Sequence, residues 1–126
     1  MIVPRFISNA EGATAVEFGL TAPVFFAVLF GLIDGGMLLW TQLGLQHATE
    51  MAARCASINK NLCADATSVK NYATTQALGL GMSPSAFTVA QSACGSHVTA
   101  SFDFGLVGGY YGMPVITLNA GACFPK

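Results

Sequence analysis

Apolar residues along this chain follow three patterns in succession. From Phe18 to Ile33 they form a run without any charge, and extended back to Ala13 the run holds only one, Glu17. At the helical rise this stretch reaches roughly 30 Å, about the thickness of a bilayer's hydrocarbon core. It predicts a single membrane-spanning helix over residues 13–36. Pro23 removes one backbone hydrogen bond and favours a kink, either a functional bend in a packed assembly or a tolerated one. Gly35 and Gly36 predict a weak point in the helix. Met37, Leu38, Leu39 and Trp40 then resume apolar character. Trp40 suits either a membrane-interface belt or packing on a domain.

Beyond this point the period becomes helical and one-sided. Leu45, Ala48, Ala52, Cys55 and Ala56 make one apolar stripe, with Gln46, Glu50, Arg54 and Ser57 off it. A helix is therefore expected from near Thr14 to near Ile58. Residues 59–65 read as a turn. Val69, Tyr72, Ala73, Gln76, Ala77 and Leu80 share the face of a second helix, started by Thr67 or Ser68 and ended by Gly79, Gly81 and Pro84. After Pro84 the period changes to two. Phe87 and Val89, then Val98, Ala100, Phe102 and Phe104, then Ile116, Leu118, Ala120 and Ala122 alternate with polar or small residues. These are three half-buried strands with their apolar faces toward the helices. The fold class is α+β: a long N-terminal membrane-spanning helix continuing into an amphipathic helix, a second short helix, and a small three-stranded antiparallel sheet.

Four cysteines, Cys55, Cys63, Cys94 and Cys123, all follow the apolar run, and none has CxxC spacing. In a small exported domain an even count reads as two disulfides, and the alternative is four buried thiols. Cys55 and Cys63 flank the turn at 59–65. Carried forward, the strand alternation puts Cys94 and Cys123 on the same side of the sheet, provided that no bulge interrupts 91–93. Of three possible connectivities, Cys55–Cys63 with Cys94–Cys123 is favoured.

Composition narrows the function. Of 126 residues, 53% are hydrophobic and 9% charged, a departure from soluble averages toward a membrane protein. With five Lys and Arg and a net charge of −1, the chain lacks the basic clusters that nucleic-acid binding needs. His47 and His97 stand in no zinc pattern, so no metal site is expected, and His47 reads as a packed or solvated side chain. The Gly- and Tyr-rich stretch 105–114 is not a phosphate loop. It is expected to be a mobile loop whose rings touch a neighbour or cover the sheet edge. No nucleophile elbow is present, so the chain reads as no enzyme, with no cofactor and no small-molecule substrate.

The remaining anomaly is Glu17, since a charge in a spanning segment is expensive and usually has a partner or a task. A plain anchor with Glu17 near the headgroups is one reading, and a secretory signal cut after the run is another. The third starts from Gly12, five residues before Glu17. This pairing is similar to the cleavage site of type IV pilin-like precursors. The sequence ATAVEF, followed by Ala22-Pro23 and a run ending in Asp34-Gly35, resembles the TadE-like family of tight-adherence pilus systems. That resemblance implies a minor pilin or pseudopilin with a leader at 1–12, a spanning helix at 13–36 and an extracytoplasmic domain at 37–126. It implies cutting by a prepilin peptidase between Gly12 and Ala13, ahead of Glu17 and Phe18. It further implies an inner-membrane, single-pass protein with a cytoplasmic N-terminus and a periplasmic domain. Other pilin-like subunits and pilus assembly proteins would be its partners, with Glu17 and Pro23 at subunit packing. Roles in pilus biogenesis, adhesion and biofilm formation follow. The rival is an unprocessed single-pass envelope protein whose disulfide-bonded domain binds a partner.

Overall fold

The computed structural model describes residues 10–106 and 115–125, with side chains from Gly12 onward. The expectations for the leader before residue 10, and most of those for the 105–114 loop, lie outside the described residues. The first element, α1, is one helix of 49 residues at Ala10–Ile58. The weak point expected at Gly35-Gly36 does not interrupt it. Each glycine costs about 1 kcal/mol of helix propensity. The helix propagates through the pair because it is formed on both sides, and extending a formed helix adds one bond per residue fixed. Pro23 also lies inside α1. Two residues earlier, the Thr21 hydroxyl donates to the carbonyl oxygens of Glu17 (3.0 Å) and Phe18 (3.3 Å).

Internal contacts divide the chain into two units, Met1–Gly35 and Gly36–Lys126. In the first, the described large apolar side chains are exposed, among them Phe18, Leu20, Val24, Phe25 and Leu32. The second holds the rest of α1 and four further elements. These are α2 (Ala66–Gln76), a single 3-10 turn (Pro84–Ala86), and strands β1 (Phe87–Ser92), β2 (Gly95–Phe104) and β3 (Ile116–Phe124). The sheet has the order β1-β2-β3 and is antiparallel throughout. Val98 faces Val89 on one side and Ala122 on the other.

The second helix departs from expectation at both ends. Its cap is Asp65, not Thr67 or Ser68. The Asp65 carboxylate accepts from the Ser68 amide (2.7 Å), and the Ser68 hydroxyl accepts from the Asp65 amide (3.1 Å), closing a capping box. The helix ends at Gln76, short of Leu80, because Leu78 (φ 52°), Gly79 (φ 78°) and Gly81 (φ 62°) turn left-handed. The hairpin between β1 and β2 has no bulge. Ser92 pairs with Gly95 across the two-residue turn Ala93-Cys94, and Gly95 takes the positive φ of 126°.

The core is built from the predicted faces. Leu45, Ala48 and Ala52 of α1 meet Val69 and Ala73 of α2, and Phe87, Val98 and Leu118 of the sheet. Alanines let the backbones approach closely. A Cβ added at Gly44 would stand 2.7 Å from Leu80 Cδ1. Polar side chains at the rim of the stripe fix the sheet to the helix. Gln42 Nε2 donates to the Asn119 carbonyl (3.1 Å), and the Ser57 hydroxyl donates to that of Phe124 (3.0 Å). His47 Nδ1 lies 3.2 Å from the Gln76 carbonyl oxygen. Among the described residues, no buried side-chain donor or acceptor lacks a partner.

Two disulfides close this unit, Cys55–Cys63 and Cys94–Cys123, with Cα–Cα distances of 5.8 and 6.3 Å. These are the pairs favoured from the sequence, although Cys94 lies in the hairpin turn and not on a strand. On loop-closure arguments each restricts the unfolded chain by about 2–4 kcal/mol.

Three outcomes follow from this packing. A Cβ at Gly95 would meet the Phe124 carbonyl oxygen, whereas one at Gly121 would only press the Thr99 methyl at 3.3 Å. Gly95→Ala should therefore cost on the order of 3 kcal/mol. Gly121→Ala should cost no more than about 1 kcal/mol in the same thermal melt followed by circular dichroism. Cys55 and Cys63 are buried and Cys94 is exposed. Titration with dithiothreitol, followed by alkylation and mass mapping, should open Cys94–Cys123 first. Lastly, the Ser68 backbone and side chain hold the Asp65 carboxyl below its usual range. A lowered native value means stability present above the unfolded pKa and lost as pH falls through the folded one. Asp65→Ala should lower the melting temperature at pH 7, by an amount that shrinks below the ordinary carboxylate range.

Candidate functional site

The segment singled out by the sequence lies in the first turns of α1. Described from Ala10 onward, α1 includes the Gly12–Ala13 peptide. Ala13 and Glu17 are one turn apart on one face. Gly12, Ala13, Glu17 and Phe18 are all exposed. A Cβ at Gly12 would meet nothing within 4 Å.

Behind this segment, the apolar side chains of α1 project outward on every side. Val16, Phe18, Leu20, Val24, Val28 and Leu32 are each more than half exposed. Phe25, Phe26 and Phe30 touch one another, edge-on at 5.5 Å and stacked at 6.3 Å. This is the one described helix long and apolar enough to cross a membrane, and none of its most apolar window is buried. Such a surface is unfavourable in water by about 25 cal/mol for each Å² left exposed. Such a helix is compatible with a membrane-anchored protein. Trp40 is 56% exposed and does not pack on the domain core.

Pro23 lies in the same unit as this segment. The four cysteines lie in the second unit. Ser92 Oγ sits 2.8 Å from Cys94 Sγ and 3.6 Å from Cys123 Sγ, a neighbour that the sequence reading did not identify. Gln42 and Ser57 were also missed as anchors of β3. Their signal was present, since both are polar residues bordering the apolar stripe. Among the described residues, no group of His, Cys, Asp and Glu gathers to hold a metal ion. The outer face of the sheet carries a shallow depression lined by Thr88, Thr99, Ser101, Asn119 and Gly121, without a charged side chain among its lining residues.

No curated protein and no solved structure matches the chain. Residues 12–54 match a protein family described as TadE-like protein. The match begins at the Gly12 singled out above, covers the exposed apolar turns, and ends one residue before Cys55. From Gly12 to Arg54, nearly its whole length, α1 is thus similar to the TadE-like family, consistent with a TadE-like protein of the tight-adherence pilus system.

Proposed function

We propose that the chain is a pseudopilin or minor pilin of a bacterial tight-adherence pilus assembly system, acting as a structural subunit and not as a catalyst. The observation that carries this is that the TadE-like match takes in the exposed apolar run Phe18–Ile33 and Glu17 just before it. In this reading a prepilin peptidase cuts after Gly12. Local opening of the helix presents the Gly12–Ala13 bond. The new Ala13 amine then meets the Glu17 carboxylate of a neighbouring subunit. A lone carboxylate in lipid costs about 2.5–3.5 kcal/mol on insertion scales, and the opposite charge offsets part of it. The pairing also sets axial register between helices, and Pro23 lies at the packed surface. The N-terminus is cytoplasmic and the disulfide-bonded unit lies in the oxidising periplasm. Other pilin-like subunits and assembly proteins are the partners, and pilus biogenesis, adhesion and biofilm formation the outcome.

A second reading draws on the start of α1 at Ala10, which places the candidate bond inside a helix. There the chain stays uncut, an anchored envelope protein whose small domain binds a partner. Intact mass and N-terminal sequencing of the protein from its native membrane, without reductant, separate the two. Processing predicts a start at Ala13 and a mass lower by the hydrogens lost to two disulfides. Gly12→Val, for which the helix has room, should leave the precursor uncut. A native protein that retains Met1 contradicts the pseudopilin reading.

A further inference from the structure

We propose that the Gly36 end of the second unit is itself a membrane-interface surface, seated among lipid headgroups and upper acyl chains. This rests on the reading of residues 13–36 as a membrane span and goes beyond it. The small domain then lies against the bilayer and does not stand clear of it.

Two packed elements define that end. The second helix runs back along α1. Its start lies near the Cys55–Cys63 bond, Gln76 is beside His47, and a Cβ at Gly44 would meet Leu80. Leu78 therefore sits at about the level of Gly44. Strand β3 advances in the same direction as α1, with Asn119 held by Gln42 and Phe124 by Ser57. Val115 and Ile116 precede Asn119 and so fall toward Gly36.

The exposed large apolar side chains of this unit gather there. Leu39, Trp40 and Leu43 on α1 are 64%, 56% and 59% exposed, Leu78 is 47%, and Val115 and Ile116 are exposed beside them. Of the others, Met37 belongs to the same end, and only Ile58 and Leu62 lie at the opposite one. The described cations, Arg54, Lys60 and Lys70, lie away from this end. Its one acid in the sheet, Asp103, accepts from the Thr117 hydroxyl at 2.8 Å. Leu78 adds a second kind of observation. Among the described residues it is the only one other than glycine with positive φ. That strain holds a large apolar side chain outward where the adjoining Gly79 would adopt the same backbone freely.

Lipid fits this surface in length and chemistry. Trp40 follows the end of the span read at residue 36 by four residues, roughly 6 Å of helix, within the depth that one headgroup layer adds to the hydrocarbon core. Trp40 then falls in the headgroup layer, where tryptophan is favoured. Without nearby cations, attachment is hydrophobic and needs no anionic lipid.

Trp40 is the only tryptophan in the chain and reports on the site directly. The full chain is reconstituted in phosphatidylcholine vesicles containing lipids brominated near the headgroup or deep in the acyl chain. Expected is loss of most Trp40 emission to the shallow bromines, protection from aqueous iodide, and no dependence on salt. The Leu78→Trp variant in a Trp40→Phe background should behave in the same way. Val24→Trp in that background reports on the span alone and should be quenched by the deep bromines. If the Val24 probe is quenched by bromine while the Trp40 and Leu78 probes stay open to iodide, the seated base is overturned and the span stands. If the Val24 probe escapes bromine as well, the anchor reading fails with it. Protection of Trp40 from both quenchers, growing with protein-to-lipid ratio, assigns the surface to a second copy and overturns the lipid assignment.

Discussion

One continuous helix, Ala10–Ile58 with Pro23 inside it, carries two different side-chain patterns. Over its first turns α1 exposes apolar side chains on every face, and from Thr41 onward it buries one face in a domain core. Neither half determines the other. The helix nevertheless continues through Gly35-Gly36, because extending a formed helix adds one bond per residue fixed. The glycines are therefore kept in a helix against their propensity. Pro23 also stays within the helix, and the Thr21 hydroxyl nearby is shared between the carbonyls of Glu17 and Phe18.

The domain that this helix supports is near the size at which a hydrophobic core alone suffices. Its core is largely alanine on the helices, with Phe87, Leu45, Val69 and Val98 as the largest apolar side chains in it that are fully buried. Small side chains bring α1, α2 and the sheet close together but remove little apolar area from water. The two disulfides and the capping box make up part of the difference. They are placed at complementary points, with Cys55–Cys63 closing the turn between the helices and Cys94–Cys123 tying β3 to the β1–β2 hairpin. Gln42 and Ser57 then hold the other edge of β3 to the helix.

Much of this was legible in the residues. The stripe Leu45, Ala48, Ala52, Cys55 and Ala56 is buried throughout, and the strand alternation gave the inner face of the sheet, because both periods follow directly from backbone geometry. The ends of α2 were misread for a local reason. Asp65 and Ser68 form a reciprocal pair that a search for a single capping residue divides, and Leu78 takes a left-handed backbone that no propensity assigns to leucine. The candidate site was legible as a motif, since Gly12, Glu17 and the apolar run are local features. Its setting was not. Which end of the domain gathers Leu43, Leu78 and Val115 depends on three separate elements meeting, and residues that distant share no sequence period.

The central claim is that α1 exposes its apolar turns to lipid. Alkaline carbonate extraction of native membranes tests it most directly, because that treatment strips proteins bound only by charge or by other proteins. The account predicts that the full chain stays in the membrane pellet at high pH and leaves only with detergent. Recovery of the intact chain, apolar helix included, in the carbonate supernatant would contradict it.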